Sequence, residues 1–119
     1  MIQLNSNVNV IDNSGAKIAR CIKVLNKSYA SVGDIIVVSI RKVVPNKKIR
    51  PGEVHKALVV YTKKNNRRTN GSRVRLGRNA VVLLNAKKLP QATRILGVVP
   101  RELKSKNFGK VLSIAKKTI

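Results

Sequence analysis

The chain has 119 residues, with 26 Lys and Arg against four carboxylates and a formal net charge of +22 at pH 7. That much self-repulsion in a small protein implies a polyanionic partner, and a nucleic-acid backbone is the densest one available. The 43% hydrophobic content excludes a disordered basic tail, and no apolar run reaches the roughly 18 residues of a transmembrane helix.

At this length one domain over residues 1–119 is the expectation. The N-terminal residues run almost directly into a strand-like segment, without a signal-peptide pattern or an Arg-rich presequence. The expectation is a protein made where it works, or one already processed. Residues 8–11 read as a short strand, ended by Asp12-Asn13-Ser14-Gly15, a tetrad with strong turn chemistry. Residues 17–25 alternate with period two, placing Ile18, Ile22 and Val24 on one face and Ala19, Cys21 and Lys23 on the other. By that alternation Ile22 is expected in the core. Cys21, the only cysteine, has no disulfide or metal-ligand companion and reads as a small buried hydrophobe.

Residues 26–33 form a polar connection, and residues 34–44 the strongest strand, stopped by Pro45. Residues 46–52 are a basic loop closed by Pro51-Gly52. Residues 54–62 are a further strand. Residues 63–78 read as a basic hairpin about Asn70-Gly71, a dipeptide favoured in type I′ turns. Residues 80–84 are a buried strand, and residues 87–91 a loop. Pro100-Arg101-Glu102-Leu103-Lys104 starts like a helix. Phe108, Val111, Leu112 and Ala115 have helical spacing and predict a second short helix. The chain is thus mainly β. Five or six short strands joined by Gly and Asn turns predict a small closed barrel, flanked by two short C-terminal helices.

The chemistry on offer is binding. His55 is the only histidine and reads as a surface or edge residue. The four acids form no obvious pair, and there is no G-x-x-x-x-G-K loop and no Cys or His cluster. No catalytic residue, metal site or cofactor is therefore expected. From Val54 to Arg101 there are twelve Lys and Arg residues and no carboxylate. Lys47, Lys48 and Arg50 crowd one loop. Lys63, Lys64, Arg67, Arg68, Arg73, Arg75 and Arg78 place seven cations within the sixteen residues of the hairpin. Arg forks suit bidentate phosphate contacts and Lys supplies a point charge. These ten residues are the candidate RNA-binding set. Aromatic platforms for base stacking are scarce: Tyr29, Tyr61 and Phe108, with no Trp. That favours backbone and shape recognition of folded A-form RNA, although charge alone does not separate RNA from duplex DNA. No long amphipathic basic helix points to a membrane.

Several segments together resemble a known family. Ile2-Gln3, Asp12-Asn13-Ser14-Gly15-Ala16, Cys21-Ile22-Lys23-Val24-Leu25 and Val32-Gly33-Asp34-Ile35-Ile36 look like the universal large-subunit ribosomal protein fourteen. So do Lys56-Ala57-Leu58-Val59-Val60, Asn70-Gly71, Asn79-Ala80-Val81-Val82-Leu83-Leu84, Thr93-Arg94-Ile95-Leu96-Gly97 and Arg101-Glu102-Leu103. The match is in order and spans nearly the whole chain. Leu76 stands where the family usually has Phe or Tyr.

The resemblance implies a five-stranded β-barrel with a protruding basic hairpin and two small C-terminal helices. It implies a non-catalytic constituent of the large ribosomal subunit, bound to large-subunit rRNA and contributing to a bridge with small-subunit rRNA. Neighbouring proteins would include those of the third and nineteenth families. A ribosome-silencing factor docks on this face in bacterial and organellar members, and its contacts map to Thr93, Arg94 and Lys110. A competing role for Arg94 is pairing with Glu102. Asn, Lys and Ile make up 39 of the 119 residues, an AT-rich bias. With the departures from the usual family pattern, it points to a mitochondrial protein, with plastid or bacterial cytoplasm as alternatives. From other classes, a free-standing RNA-binding regulator is the runner-up and an enzyme the third reading.

Overall fold

The computed structural model describes residues 2–25, 28–45, 48–62, 66–67, 73–74, 79–85, 87, 89–92, 94–99 and 109–118. In chain order the elements are β1 (Asn7–Val10), β2 (Ala16–Val24), β3 (Ile35–Val43), β4 (Val54–Tyr61), β5 (Asn66–Arg67), β6 (Arg73–Val74), β7 (Ala80–Leu84), β8 (Ile95–Val99), α1 (Gly109–Ile114) and β9 (Ala115–Thr118).

Five strands close into a barrel in the order β1-β2-β3-β4-β7. Successive neighbours run antiparallel, and the closing β1–β7 pair is parallel. Closure leaves no edge strand open to pairing with another chain. β5 and β6 form a separate two-stranded sheet inserted between β4 and β7. The expected basic hairpin is therefore present as a paired excursion from the barrel; its Asn70-Gly71 tip lies outside the described residues.

The barrel interior packs Val8, Ala19, Cys21, Ile36, Val38, Ile40, Ala57, Val59, Val81 and Leu83 together. Small residues such as Ala19, Cys21 and Ala57 suit the narrow lumen of a small barrel. A second apolar layer lies outside β4 and β7. Leu58, Val60, Val82 and Leu84 pack there against Ile95, Val99 and Val111 of the C-terminal segment. β4 from Ala57 onward and all of β7 are thus buried on both faces. That explains the unbroken apolar runs in their sequence, where a one-sided strand would alternate.

The period-two reading of β2 is corrected at Ile22. Ala16 pairs with Val43 but Ile18 with Lys42, and Cys21 pairs with Val38 but Lys23 with Val37. Each shift inserts one extra residue into β2, a β-bulge that breaks strict alternation. Ala19, Cys21 and Val24 consequently pack with the interior, while Ile22 is 41% exposed. Cys21 is fully buried, as expected.

The tetrad at residues 12–15 does more than reverse the chain. The Asp12 carboxylate accepts from the Ser14 amide and hydroxyl, and from the Leu83 amide of the neighbouring strand β7 at 3.0 Å. Asn13 Oδ1 accepts from the Arg94 amide, and the Asn13 amide donates to the Arg94 carbonyl, both at 3.1 Å. Gly15 supplies the left-handed backbone, with φ 110°.

The C-terminal segment departs from expectation. The second helix is observed as α1, but β8 and β9, not anticipated, form a parallel pair beside it. Gly97 inside β8 and the two lysines of β9 obscure the strand pattern, and parallel pairing leaves no hairpin signal. The first expected helix, at residues 100–104, lies outside the described residues.

Candidate nucleic-acid interface

The loop before β4 is built around Ile49. This side chain is buried in the barrel core, whereas Lys48 and Arg50 on either side are exposed. One apolar plug thus fixes the loop to the barrel and leaves the flanking cations in solvent. The chain then turns through Gly52, with φ 89°, whose amide donates to Ile40 O at 2.8 Å. Lys47 lies outside the described residues.

In the hairpin, Asn66 is registered opposite Val74 and Arg67 opposite Arg73. The pairing sets two basic positions directly across from each other. Lys63, Lys64, Arg68, Arg75 and Arg78 lie outside the described residues. Of the ten candidate RNA-binding residues, the structure thus places Lys48 and Arg50 on the loop and Arg67 and Arg73 on the paired strands.

Arg94 is exposed, immediately before β8. Its main chain is held at both N–H and C=O by Asn13. Asn13 is a positioning residue that sequence reading took for turn chemistry alone, since the bonds span 81 residues and leave no local signal. Lys110 sits in the first turn of α1, the helix that packs with β8 and β9. Thr93 and Glu102 lie outside the described residues.

His55 is held in a polar chain on the barrel rim. Its Nε2 lies 2.9 Å from Glu53 Oε2, and its Nδ1 3.0 Å from Gln91 Nε2, which also donates to Leu84 O at 2.8 Å. The bond from His55 holds the Glu53 carboxyl below its usual value. These contacts tie the loop after β7 to β4, so the histidine has a structural role and sits partly covered. Among the described residues no group of three or more His, Cys, Asp or Glu could hold a metal ion. No described helix is long and apolar enough to cross a membrane.

The acids among the described residues are spent internally. Asp12 serves the turn, Asp34 Oδ2 accepts from the Ser31 amide at 2.8 Å, and Glu53 pairs with His55. The exposed charge of the described surface is therefore dominated by Lys and Arg, a chemistry suited to phosphate and to little else. A closed barrel, a basic hairpin between its fourth and fifth strands and a C-terminal segment pinned by the 12–15 turn agree with one comparison. The family model for ribosomal protein L14p/L23e matches residues 1–119. The chain belongs to this family and is a structural constituent of the large ribosomal subunit.

Proposed function

We propose that the chain binds large-subunit rRNA through the basic hairpin and the loop before β4, with Lys47, Lys48, Arg50, Lys63, Lys64, Arg67, Arg68, Arg73, Arg75 and Arg78 neutralising phosphates. The observation that carries this reading is the register of Arg67 opposite Arg73. Like charges directly across an antiparallel pair are destabilising, and a polyanion laid over them removes the penalty. The barrel acts as a rigid scaffold, and no catalysis is involved. Replacing Arg67, Arg68, Arg73 and Arg75 with Gln tests the assignment. The slope of log affinity against log salt should fall by about 2.8 to 3.6, since each phosphate contact contributes about 0.7–0.9. An unchanged slope would show that these residues face solvent in the complex.

On this reading the same protein contributes to a bridge with small-subunit rRNA and neighbours the third- and nineteenth-family proteins. Thr93, Arg94 and Lys110 form a docking face for a silencing factor. The exposure of Arg94 supports the docking role, because Arg is enriched at interface hot spots. Arg94→Ala should abolish factor binding to the subunit without moving the melting temperature, because Asn13 holds only its main chain. A large fall in melting temperature with binding retained would overturn docking. The Asn, Lys and Ile bias supports a mitochondrial ribosome as the site of action. Compartment fractionation followed by a sucrose gradient checks it: co-sedimentation with mitochondrial large subunits is the expected result.

A further inference from the structure

The barrel has two unequal walls. The outer side of β4 and β7 is roofed by the C-terminal segment. The outer side of β1 and β2, of β3 beyond Ile35 and of β4 before Ala57 carries no such roof among the described residues. Strand register lines up the polar groups of this bare wall. Asn7 lies opposite Arg20, and Arg20 opposite Ser39. In the neighbouring row Lys23 lies opposite Val37, and Val37 opposite Lys56. Strands are spaced by about 4.8 Å, so Lys23 and Lys56, two strands apart, are separated by about 10 Å at the backbone. Arg41, two residues beyond Ser39 on β3, is also exposed. The second bulge of β2 brings Lys23 into this row, because without it alternation would turn that residue toward the lumen.

Two further observations bear on what this wall accommodates. Among the described residues its cations have no carboxylate to pair with, since Asp12, Asp34 and Glu53 are each engaged elsewhere. Glu53 and His55 also alternate with Val54 and Lys56 along the chain and so take the other side of β4. Arg20 is half-buried, and its Nε is buried without any hydrogen-bond acceptor. An unserved guanidinium donor is costly; because this Nε is covered, an anionic oxygen meets the guanidinium through its accessible part.

We infer that this wall is a second RNA-backbone surface, distinct from the hairpin and the loop. Arg20 and Ser39 there hold a phosphate or ribose oxygen, and Lys23, Arg41 and Lys56 neutralise the adjoining phosphates. The inference rests on the reading that the chain binds rRNA. Charge complementarity selects the occupant, because an apolar protein face would bury these cations without a counter-charge.

The test uses the full chain, large-subunit rRNA and salt titrations of affinity. Lys23→Gln with Lys56→Gln, both at exposed positions, should lower the salt slope by about 1.4 to 1.8. Arg20→Lys, which keeps the charge and loses the fork, should weaken binding about tenfold at fixed salt. Melting temperatures no lower than the wild type's confirm that the variants fold. If the lysine pair keeps the wild-type slope while the hairpin variant loses its share, the wall inference is overturned and the hairpin reading stands. If neither variant changes the slope, both fall. If the lysine pair keeps rRNA affinity but releases a neighbouring ribosomal protein from purified subunits, the wall is a protein contact and the inference is again overturned.

Discussion

Asp12 shows how much one side chain can do in a protein with four carboxylates. Burial pushes its carboxyl above the usual 3.8, against the opposing pull of hydrogen bonds from Ser14 and Leu83. The folded state therefore favours the protonated form. Its contribution to stability is full below the unfolded pKa and is lost as pH rises through the folded value. Glu53 has the opposite sign: its depressed value contributes above the unfolded pKa of about 4.5 and is lost on acidification through the folded one. Asp12→Asn separates charge from hydrogen bonding. An amide offers one oxygen, so either Ser14 or the buried Leu83 amide loses its acceptor. The expected cost is about 1–3 kcal/mol in urea unfolding at pH 7. A loss below about 0.5 kcal/mol would show that the long-range bond to Leu83 contributes nothing. None of this was legible locally: the tetrad announces a turn, but the partner donor lies 71 residues away.

At the scale of elements, legibility followed locality. β3, β4 and β7 were readable from their apolar runs, with Pro45 stopping β3, Pro51-Gly52 preceding β4, and Asn79 and Asn85 bounding β7. β7 matched its expected bounds, Ala80–Leu84. β2 was readable as a strand but not as a pair of faces, because its bulges answer to the register of β3. The consequence is measurable. Ile36, fully buried in the lumen, should cost about 2–5 kcal/mol on Ile36→Ala. Ile22→Ala, on the bulge, should cost only about 0.5 kcal/mol. Equal losses would mean that Ile22 packs inward and that the bulge is misplaced. The parallel β8–β9 pair escaped sequence reading for a related reason. Its strands have no common turn, and β9 takes its partner from a segment preceding α1. The candidate RNA-binding set was legible as charge density. The cations of the bare wall were not, since Arg20, Lys23, Arg41 and Lys56 are scattered singly and meet only through strand register.

For the whole molecule, the net charge of +22 sets two salt dependences of opposite sign. In the free chain the cations repel one another across a barrel whose acids are already engaged, so added salt should stabilise it. The Debye length shrinks from about 30 Å at 0.01 M, comparable with the molecule's shorter extents of 29 and 26 Å, to about 10 Å at 0.1 M, well within them. In the complex the same salt competes with the protein for phosphates and weakens binding. The hairpin variant with Arg67, Arg68, Arg73 and Arg75 replaced by Gln should therefore do two things at once. It should bind rRNA less tightly, and as a free chain at low salt it should melt at a higher temperature than the wild type, with the gap closing as salt rises. The register of Arg67 opposite Arg73 gives the reason: on the proposed reading, that opposition is a stability cost in the free protein that bound rRNA would relieve. Thermal melts of both proteins at 0.01 and 0.5 M salt measure it directly. A variant that melts lower than the wild type at low salt would show that these arginines stabilise the free hairpin, and the case for a hairpin shaped by its polyanion would fail.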